Sequence, residues 1–173
     1  MRYFLFAITV LLAACGGGKP ADITPVQPFD ADRYLGKWYE IARFEHRFEK
    51  GLSQVTAEYS LRDDGGIRVV NRGYSAKKNE WKESDAKAYF VDGRDKAFLK
   101  VSFWGPFYSS YIVIALDEEN YQYALVTGEN KDYLWILARQ PNLDPAIYDE
   151  LVQKAKSLGF ATDKLIKVDH SGK

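Results

Sequence analysis

The feature that most constrains this chain is a series of short segments in which bulky apolar residues alternate with small or charged ones. Eight such segments lie between residues 37 and 139, separated by connections rich in glycine, aspartate and asparagine. An alternation of period two places one set of side chains on each face of a β-strand. The pattern therefore predicts an all-β domain.

The connections between the predicted strands are short, so neighbouring strands are expected to pair antiparallel in an up-and-down order. Eight such strands can close into a β-barrel without a free edge. The second, fourth and sixth connections are tight turns at one end, whereas most of the others are longer, which predicts a closed end and a mouth. The predicted strands span residues 37–44, 54–62, 67–74, 82–91, 97–104, 110–116, 121–127 and 133–139.

A single α-helix is predicted after the last barrel strand. Asp144 suits the N-cap, Pro145 suits the first helical position, and Gly159 suits the end of the helix. Its apolar residues share one face, so we expect the helix to pack against the outside of the barrel, followed by a short strand at 164–168. That face consists of Ile147, Leu151, Ala155 and Leu158.

The first 28 residues have the composition of an export signal followed by a linker. Arg2 precedes an apolar segment of twelve residues, fewer than the ~20 that span a bilayer, so residues 1–14 are predicted to be a signal peptide. The sequence LAAC resembles the lipobox of bacterial lipoproteins, which implies lipidation of Cys15, and Gly16 after it implies the outer membrane, periplasmic face. Residues 15–28 are then a lipidated N-terminus and linker, and residues 29–173 the folded domain.

Strand order brings an aromatic and a cationic residue together at the closed end. Trp38 lies at the start of the first strand and Arg139 at the end of the eighth, and these strands are neighbours in a closed barrel. The indole ring and the guanidinium are therefore predicted to stack. Because the strand offers no nucleophile or base, we interpret the pair as a structural plug.

Several motifs identify a family. GKWYEIAR resembles the lipocalin G-x-W motif, and YLWILARQP resembles the third lipocalin signature, whereas the turn after strand six keeps only the aspartate of T-D-Y. SLRDDGG and KVSFWGPFY resemble the bacterial lipocalin lipoproteins, relatives of apolipoprotein D. The resemblance covers residues 29–173 and implies a ligand-holding calyx. It also implies a structural plug made of Gly36, Trp38, Asp117 and Arg139.

Alternation further predicts which side chains line the barrel. Charged neighbours such as Glu58, Arg68 and Lys100 mark the outward face in most strands. Strand four allows two alternatives, because a one-residue bulge would exchange Ala86, Ala88 and Phe90 with Asp85, Lys87 and Tyr89. The predicted ligand-binding residues are Val55, Ala57, Tyr59, Ile67, Val69, Leu99, Val101, Phe103, Tyr111, Val113, Tyr133 and Trp135.

The chain offers little that could support catalysis. Its two histidines, His46 and His170, lie far apart in the sequence, so neither a metal cluster nor a histidine-based triad is predicted. The only thiol is the one expected to be lipidated. The formal net charge is zero, which argues against nucleic-acid binding. We therefore expect a non-enzymatic protein without cofactor or metal.

The resemblance to bacterial lipocalins favours storage or transport of single-chain lipids, lysophospholipids or fatty acids, for outer-membrane maintenance under stress. Aromatic lining residues would equally suit another small hydrophobic ligand, such as an isoprenoid, an antibiotic or a haem-like molecule. A third alternative is an envelope tether, in which the loop at residues 105–108 contacts a partner or a membrane. Exposed apolar residues also leave a homodimer open.

Overall fold

A computed structural model of the chain describes residues 18–172, which form nine β-strands, two α-helices and one 3₁₀ turn. None of the helices in this range is long and apolar enough to cross a membrane. In chain order the elements are α1 (Ala31–Tyr34), β1 (Gly36–Phe44), β2 (Leu52–Leu61), β3 (Ile67–Ser75), β4 (Glu80–Phe90), β5 (Phe98–Ser102), β6 (Ser109–Leu116), β7 (Tyr123–Thr127), β8 (Leu134–Ala138), α2 (Pro145–Ser157), the 3₁₀ turn (Thr162–Lys164) and β9 (Leu165–Lys167).

The first eight strands close into an antiparallel up-and-down barrel, as the sequence predicts. Each strand pairs with the next, and β1 pairs with both β2 and β8, which removes the free edges. The start of β1 pairs with β2, whereas its end, from Ala42 to Phe44, pairs with β9. Strand β1 is therefore the seam of the barrel.

Four predicted strands, β5, β7, β8 and β9, are shorter than expected, and the differences at β5 and β7 have a visible cause. Strand β5 ends at Ser102, because its last pair with β6 joins Val101 to Ser109 and the chain then leaves the sheet. Strand β7 begins at Tyr123 rather than at Tyr121, which has a left-handed φ of 56° and donates its backbone N–H to Asp117 O in a turn. Both corrections concern residues that alternation alone assigns to a strand.

The barrel separates two hydrophobic cores. The inner core lies in the lumen and includes Trp38, Val69 and Val113, while the outer core lies between the barrel wall and α2 and includes Leu151 and Ala155. Helix α2 begins after its N-cap Asp144, whose side chain accepts from Ala146 N, in agreement with the prediction.

The structure decides between the two alternatives for β4. Ala86 and Ala88 are buried in the inner core and Phe90 packs against it, whereas Asp85 is exposed and pairs with Arg68 on the neighbouring strand. No bulge interrupts the pairing of β4 with β3, so the alternation continues through the strand.

Residues 18–28 differ from the predicted linker because they pack against the barrel. Ile23 is fully buried in the outer core. Val26 N donates to Val113 O at 2.9 Å, and Val26 O accepts from Ala97 N at 3.0 Å. The linker prediction is therefore wrong for these residues. The sequence does not reveal the packing, because isolated buried residues such as Ile23 produce no periodic pattern. The predicted signal peptide and Cys15 lie outside the described residues.

Helix α1 was not predicted. It covers the closed end of the barrel. Its N-cap Asp30 accepts from the backbone of Asp32 and Arg33, and its buried Tyr34 reaches the inner core. One turn of helix is too short to show an apolar period in the sequence.

The predicted aromatic–cation contact lies beside α1. The Arg139 guanidinium carbon is 4.0 Å from the centre of the Trp38 ring, and Trp38 Nε1 donates to Tyr34 O at 2.8 Å. Arg139 also donates to three backbone carbonyls and so joins the first strand, α1 and the turn before β7. The acceptors are Arg33 O at 2.7 Å, Lys37 O at 3.0 Å and Tyr121 O at 3.2 Å.

The two other residues of the predicted plug shape the surrounding backbone. Gly36 has a φ of +91°, and a Cβ at this position would lie 3.4 Å from Arg139 Nη1, so glycine permits both the turn and the close approach. The Asp117 carboxylate accepts from the backbone N–H groups of Asn120 and Gln122, each at 3.2 Å. These hydrogen bonds stabilise the turn in which Tyr121 O accepts from Arg139.

We expect Trp38→Ala to lower the free energy of unfolding by about 3–5 kcal/mol, because the substitution removes a buried ring and leaves a cavity. Arg139→Ala should also destabilise the protein, since the guanidinium bridges three segments. Urea unfolding measures both effects, with Leu61→Ala as a control, because Leu61 is an exposed apolar residue at the closed-end terminus of β2. Variants of Trp38 and Arg139 that unfold like the parent would contradict the plug.

Candidate functional site

The lumen of the barrel contains a narrow apolar chamber. Its wall includes six of the predicted ligand-binding residues together with Ala88, which belongs to one of the two alternatives for strand four, and with Phe29 and Tyr34, which were not predicted. The cavity that these side chains leave is small, about 10 Å³. Ligand pockets typically measure ~300–1,000 Å³, so the side chains on the wall must move apart before the chamber admits even a slender molecule. The six predicted residues on the wall are Tyr59, Ile67, Val69, Leu99, Val101 and Tyr111.

The other six predicted residues are distributed around the chamber. Val113 lies in the inner core, with Ala57 packed against it, and Val55 is buried beside Gly73. The remaining three lie towards the mouth: Tyr133 and Trp135 stack on one another, whereas Phe103 follows the end of β5 and is half-exposed. A role of these twelve residues in binding remains a prediction.

Three tyrosine hydroxyls meet inside the chamber. Tyr111 Oη lies 2.7 Å from Tyr34 Oη and 2.8 Å from Tyr59 Oη, so one residue from β6 is hydrogen-bonded to α1 and to β2. Burial raises the pKa of all three hydroxyls above its ordinary value, and they stay neutral. The network joins β2, β6 and α1 inside the barrel. It depends on Tyr34, so it could not be predicted without α1.

A second polar cluster lies above the chamber on the inner face of β1. The pairing of β1 with β8 contains a bulge between Glu40 and Ala42, so that Glu40 lies opposite Leu137 and Arg43 opposite Trp135. Both Glu40 and Arg43 therefore face the lumen and are almost fully buried. Strict alternation would send one of them outward, and the bulge has no clear sequence signal.

Arg43 fastens the connection between β1 and β2. Its Nη1 donates to Glu40 Oε1 at 2.7 Å, and its Nη2 donates to Glu49 O at 2.8 Å and Leu52 O at 3.3 Å. Glu49 lies in the connection from β1 to β2 at the mouth, and Leu52 is the first residue of β2. The Arg43 Nε has no hydrogen-bond partner among the described residues.

Glu49 links Arg43 to the aromatic residues at the mouth. Its Oε2 lies 2.9 Å from His46 Nε2, accepts from Trp135 Nε1 at 3.3 Å and lies 4.0 Å from Arg43 Nε. The His46 ring packs edge-on against Trp135, with 5.3 Å between ring centres. The cluster thus holds Trp135 in place beside the entrance.

The two carboxylates of the cluster differ in protonation because burial and the charge of Glu49 oppose the ionisation of Glu40, whereas three partners favour the ionisation of Glu49. Burial, together with the charge of Glu49, raises the pKa of Glu40 to about 8, against the attraction of Arg43. Burial acts in the same direction on Glu49, but contacts with His46, Trp135 and Arg43 hold the pKa of Glu49 below its ordinary value. At neutral pH the proton therefore resides on Glu40.

This protonation predicts a pH-dependent stability. Between the ordinary pKa of 4.5 and about 8, the folded protein holds a proton on Glu40 that the unfolded chain releases, so this group lowers stability as pH rises. Glu40→Gln cannot ionise, and its amide oxygen can still accept from Arg43. We expect the variant to gain stability relative to the parent, by on the order of a few kcal/mol between about pH 5 and about pH 9.

Urea unfolding across this pH range provides the measurement. Glu58→Gln serves as the matched control, because Glu58 is an exposed glutamate on the outer face of β2. A stability difference between Glu40→Gln and the parent that is the same at every pH would contradict the assignment of the proton.

The geometry agrees with comparisons to known proteins. A family model described as a lipocalin-like domain matches residues 29–170. Outer membrane lipoprotein Blc of Vibrio cholerae is 55% identical over 165 residues, which cover 95% of this chain and 96% of that protein. Outer membrane lipoprotein Blc of Escherichia coli is 52% identical over 163 residues, 94% and 92% of the two chains.

More distant proteins share the same barrel. Bovine apolipoprotein D is 34% identical over 152 residues, which cover 84% of this chain and 79% of that protein. Among solved structures, insecticyanin from the tobacco hornworm Manduca sexta superposes with a TM-score of 0.71 at 21% identity, over 90% of this chain and 88% of that one. That likeness concerns the fold alone. The family match and the identity to these relatives show that this chain belongs to the lipocalin family.

Proposed function

We propose that this protein binds one single-chain lipid, a lysophospholipid or a fatty acid, with the acyl chain in the barrel and the head group at the mouth. The observation that carries the proposal is the narrow apolar chamber, which ends below at the tyrosine network and the plug. An acyl chain is long, thin and apolar. It therefore matches a lumen with a small cross-section and few polar groups.

Burial of the chain supplies ample binding free energy. About fifteen methylenes at ~0.8 kcal/mol each give a gross gain of ~12 kcal/mol, from which association and chain ordering subtract several kcal/mol. We expect a dissociation constant in the micromolar to nanomolar range. Two acyl chains would need about twice the volume of one in a lumen that is already this narrow, so diacyl phospholipid should bind far more weakly.

The rim of the mouth carries charges of both signs, which supports a modest head-group preference. Lys50 lies 3.9 Å from Glu45, and Lys78 lies 3.7 Å from Glu80. Since these exposed pairs partly neutralise the basic side chains, any attraction to an anionic head group should weaken with salt.

A membrane location is part of the proposal. The relatives from V. cholerae and E. coli are named outer membrane lipoproteins, and Cys15 lies in the lipobox-like sequence LAAC. We infer that Cys15 carries the lipid anchor and that the protein stores or transports single-chain lipids beside the outer membrane. The family consists largely of ligand carriers, so binding without catalysis is the activity that we propose.

Two adjacent valines provide a matched test of binding. Val69 lines the chamber, whereas Val70, the next residue of β3, faces outward and lies opposite Glu58 and Asp85 on the neighbouring strands. An amide at position 69 would have to be buried against the acyl chain, so Val69→Asn should weaken lysophospholipid binding at least about tenfold. Val70→Asn should bind like the parent.

A titration of purified soluble protein with lysophospholipid, followed by tryptophan fluorescence, measures these affinities. Circular dichroism confirms that each variant is folded. Equal affinity of the parent for diacyl phospholipid, or equal binding by the two valine variants, would overturn the proposed mode of binding.

A further inference from the structure

The connection between β5 and β6 carries the two most exposed aromatic side chains of the described part of the chain. We name residues 103–108, with the sequence FWGPFY, the aromatic loop. Trp104 is 83% exposed and Phe107 is 79% exposed, and both lie at the mouth of the barrel. Exposed apolar surface of this kind is typical of a contact with a membrane or with another protein.

Two lysines flank the aromatic loop. Lys100 Nζ lies 5.2 Å from the centre of the Tyr108 ring, and Lys87 Nζ lies 3.8 Å from the position that a Cβ on Gly105 would occupy. Within residues 18–172 neither lysine forms an ion pair. Aromatic rings beside unpaired lysines suit the interface of an anionic bilayer, where rings enter the head-group region and ammonium groups meet phosphates.

The path of the N-terminal segment brings the anchor point to the same end of the barrel. Gly18 O accepts from Ser110 Oγ at 2.6 Å, and Asp22 pairs with Lys131 in the connection from β7 to β8. Ser110 pairs with Lys100, one position before the last β5–β6 pair at the aromatic loop. The segment then descends to the closed end, where Phe29 N donates to Asp95 O.

Chain length restricts where Cys15 can lie. Cys15 precedes Gly18 by three residues, which span at most ~11 Å when fully extended. The closed-end terminus of β6, Leu116, lies six residues beyond Ser110, or ~20 Å along the strand. An acyl group on Cys15 therefore enters the bilayer near the mouth of the barrel and not near its closed end.

From these observations we propose that the aromatic loop inserts into the interface of the same leaflet that holds the anchor on Cys15. The mouth of the barrel then opens at the membrane surface. This inference rests on the proposed lipidation of Cys15. A single-chain lipid could then pass between the bilayer and the chamber without crossing bulk water.

Site-specific fluorescence on the lipidated full-length protein tests this arrangement. The acylated Cys15 has no free thiol, so Phe107→Cys introduces a single labelling site for an environment-sensitive dye. Leu61→Cys is the matched control, because Leu61 is also an exposed apolar residue but lies at the closed end. The labelled proteins are reconstituted into vesicles of phosphatidylethanolamine and phosphatidylglycerol that contain a doxyl-labelled phospholipid.

We expect a blue shift and quenching by the doxyl lipid at position 107, and neither effect at position 61. Water-like emission at both positions would overturn the proposal, as would stronger quenching at position 61. A blue shift at position 107 without doxyl quenching would indicate burial against a second copy of the chain and would also overturn it.

Flotation of the vesicles tests the anchor separately. The parent should float with the vesicles, and Cys15→Ser should not. A floating protein with a water-exposed position 107 would reject loop insertion alone, whereas a parent that fails to float would reject the lipidation on which the inference rests. The valine titration in solution is independent of both results.

Discussion

The contact between Trp38 and Arg139 is the interaction on which the rest of the structure depends. It lies where β1 meets the end of β8, so it forms only when the barrel is closed. Through its three carbonyl acceptors, Arg139 also joins α1 and the turn before β7 to this seam. The contact therefore closes one end of the barrel and forms its floor. Within the described residues, the barrel is open only at the other end, where the long connections lie.

The lumen above this floor changes from apolar to polar. Near the floor the wall is aliphatic and aromatic, and its three tyrosine hydroxyls hydrogen-bond to one another. Nearer the mouth, the bulge in β1 turns Glu40 and Arg43 inward together, and Arg43 ties down the β1–β2 connection. A chain with an apolar tail and a polar head matches this gradient better than a uniformly apolar ligand does.

Sequence reasoning predicted the features that rest on period-two alternation and on chain order. The eight strands, the outer helix and the approach of Trp38 to Arg139 belong to this group. It missed Tyr34, because one helical turn has no detectable period, and the inward Arg43, because a bulge breaks the alternation on which the inference depended. It also treated residues 18–28 as a linker, since a single buried anchor such as Ile23 has no pattern around it.

The most direct measurement of the central claim is mass spectrometry of the lipid that co-purifies with the protein. The protein is extracted from its own membranes without added lipid, and the bound fraction is compared with that of Val69→Asn. The account predicts single-chain species, lysophospholipid or fatty acid, enriched in the parent over the total membrane lipid and depleted in the variant. Diacyl phospholipid at the membrane's own proportion, or the same lipid profile in both proteins, would contradict it.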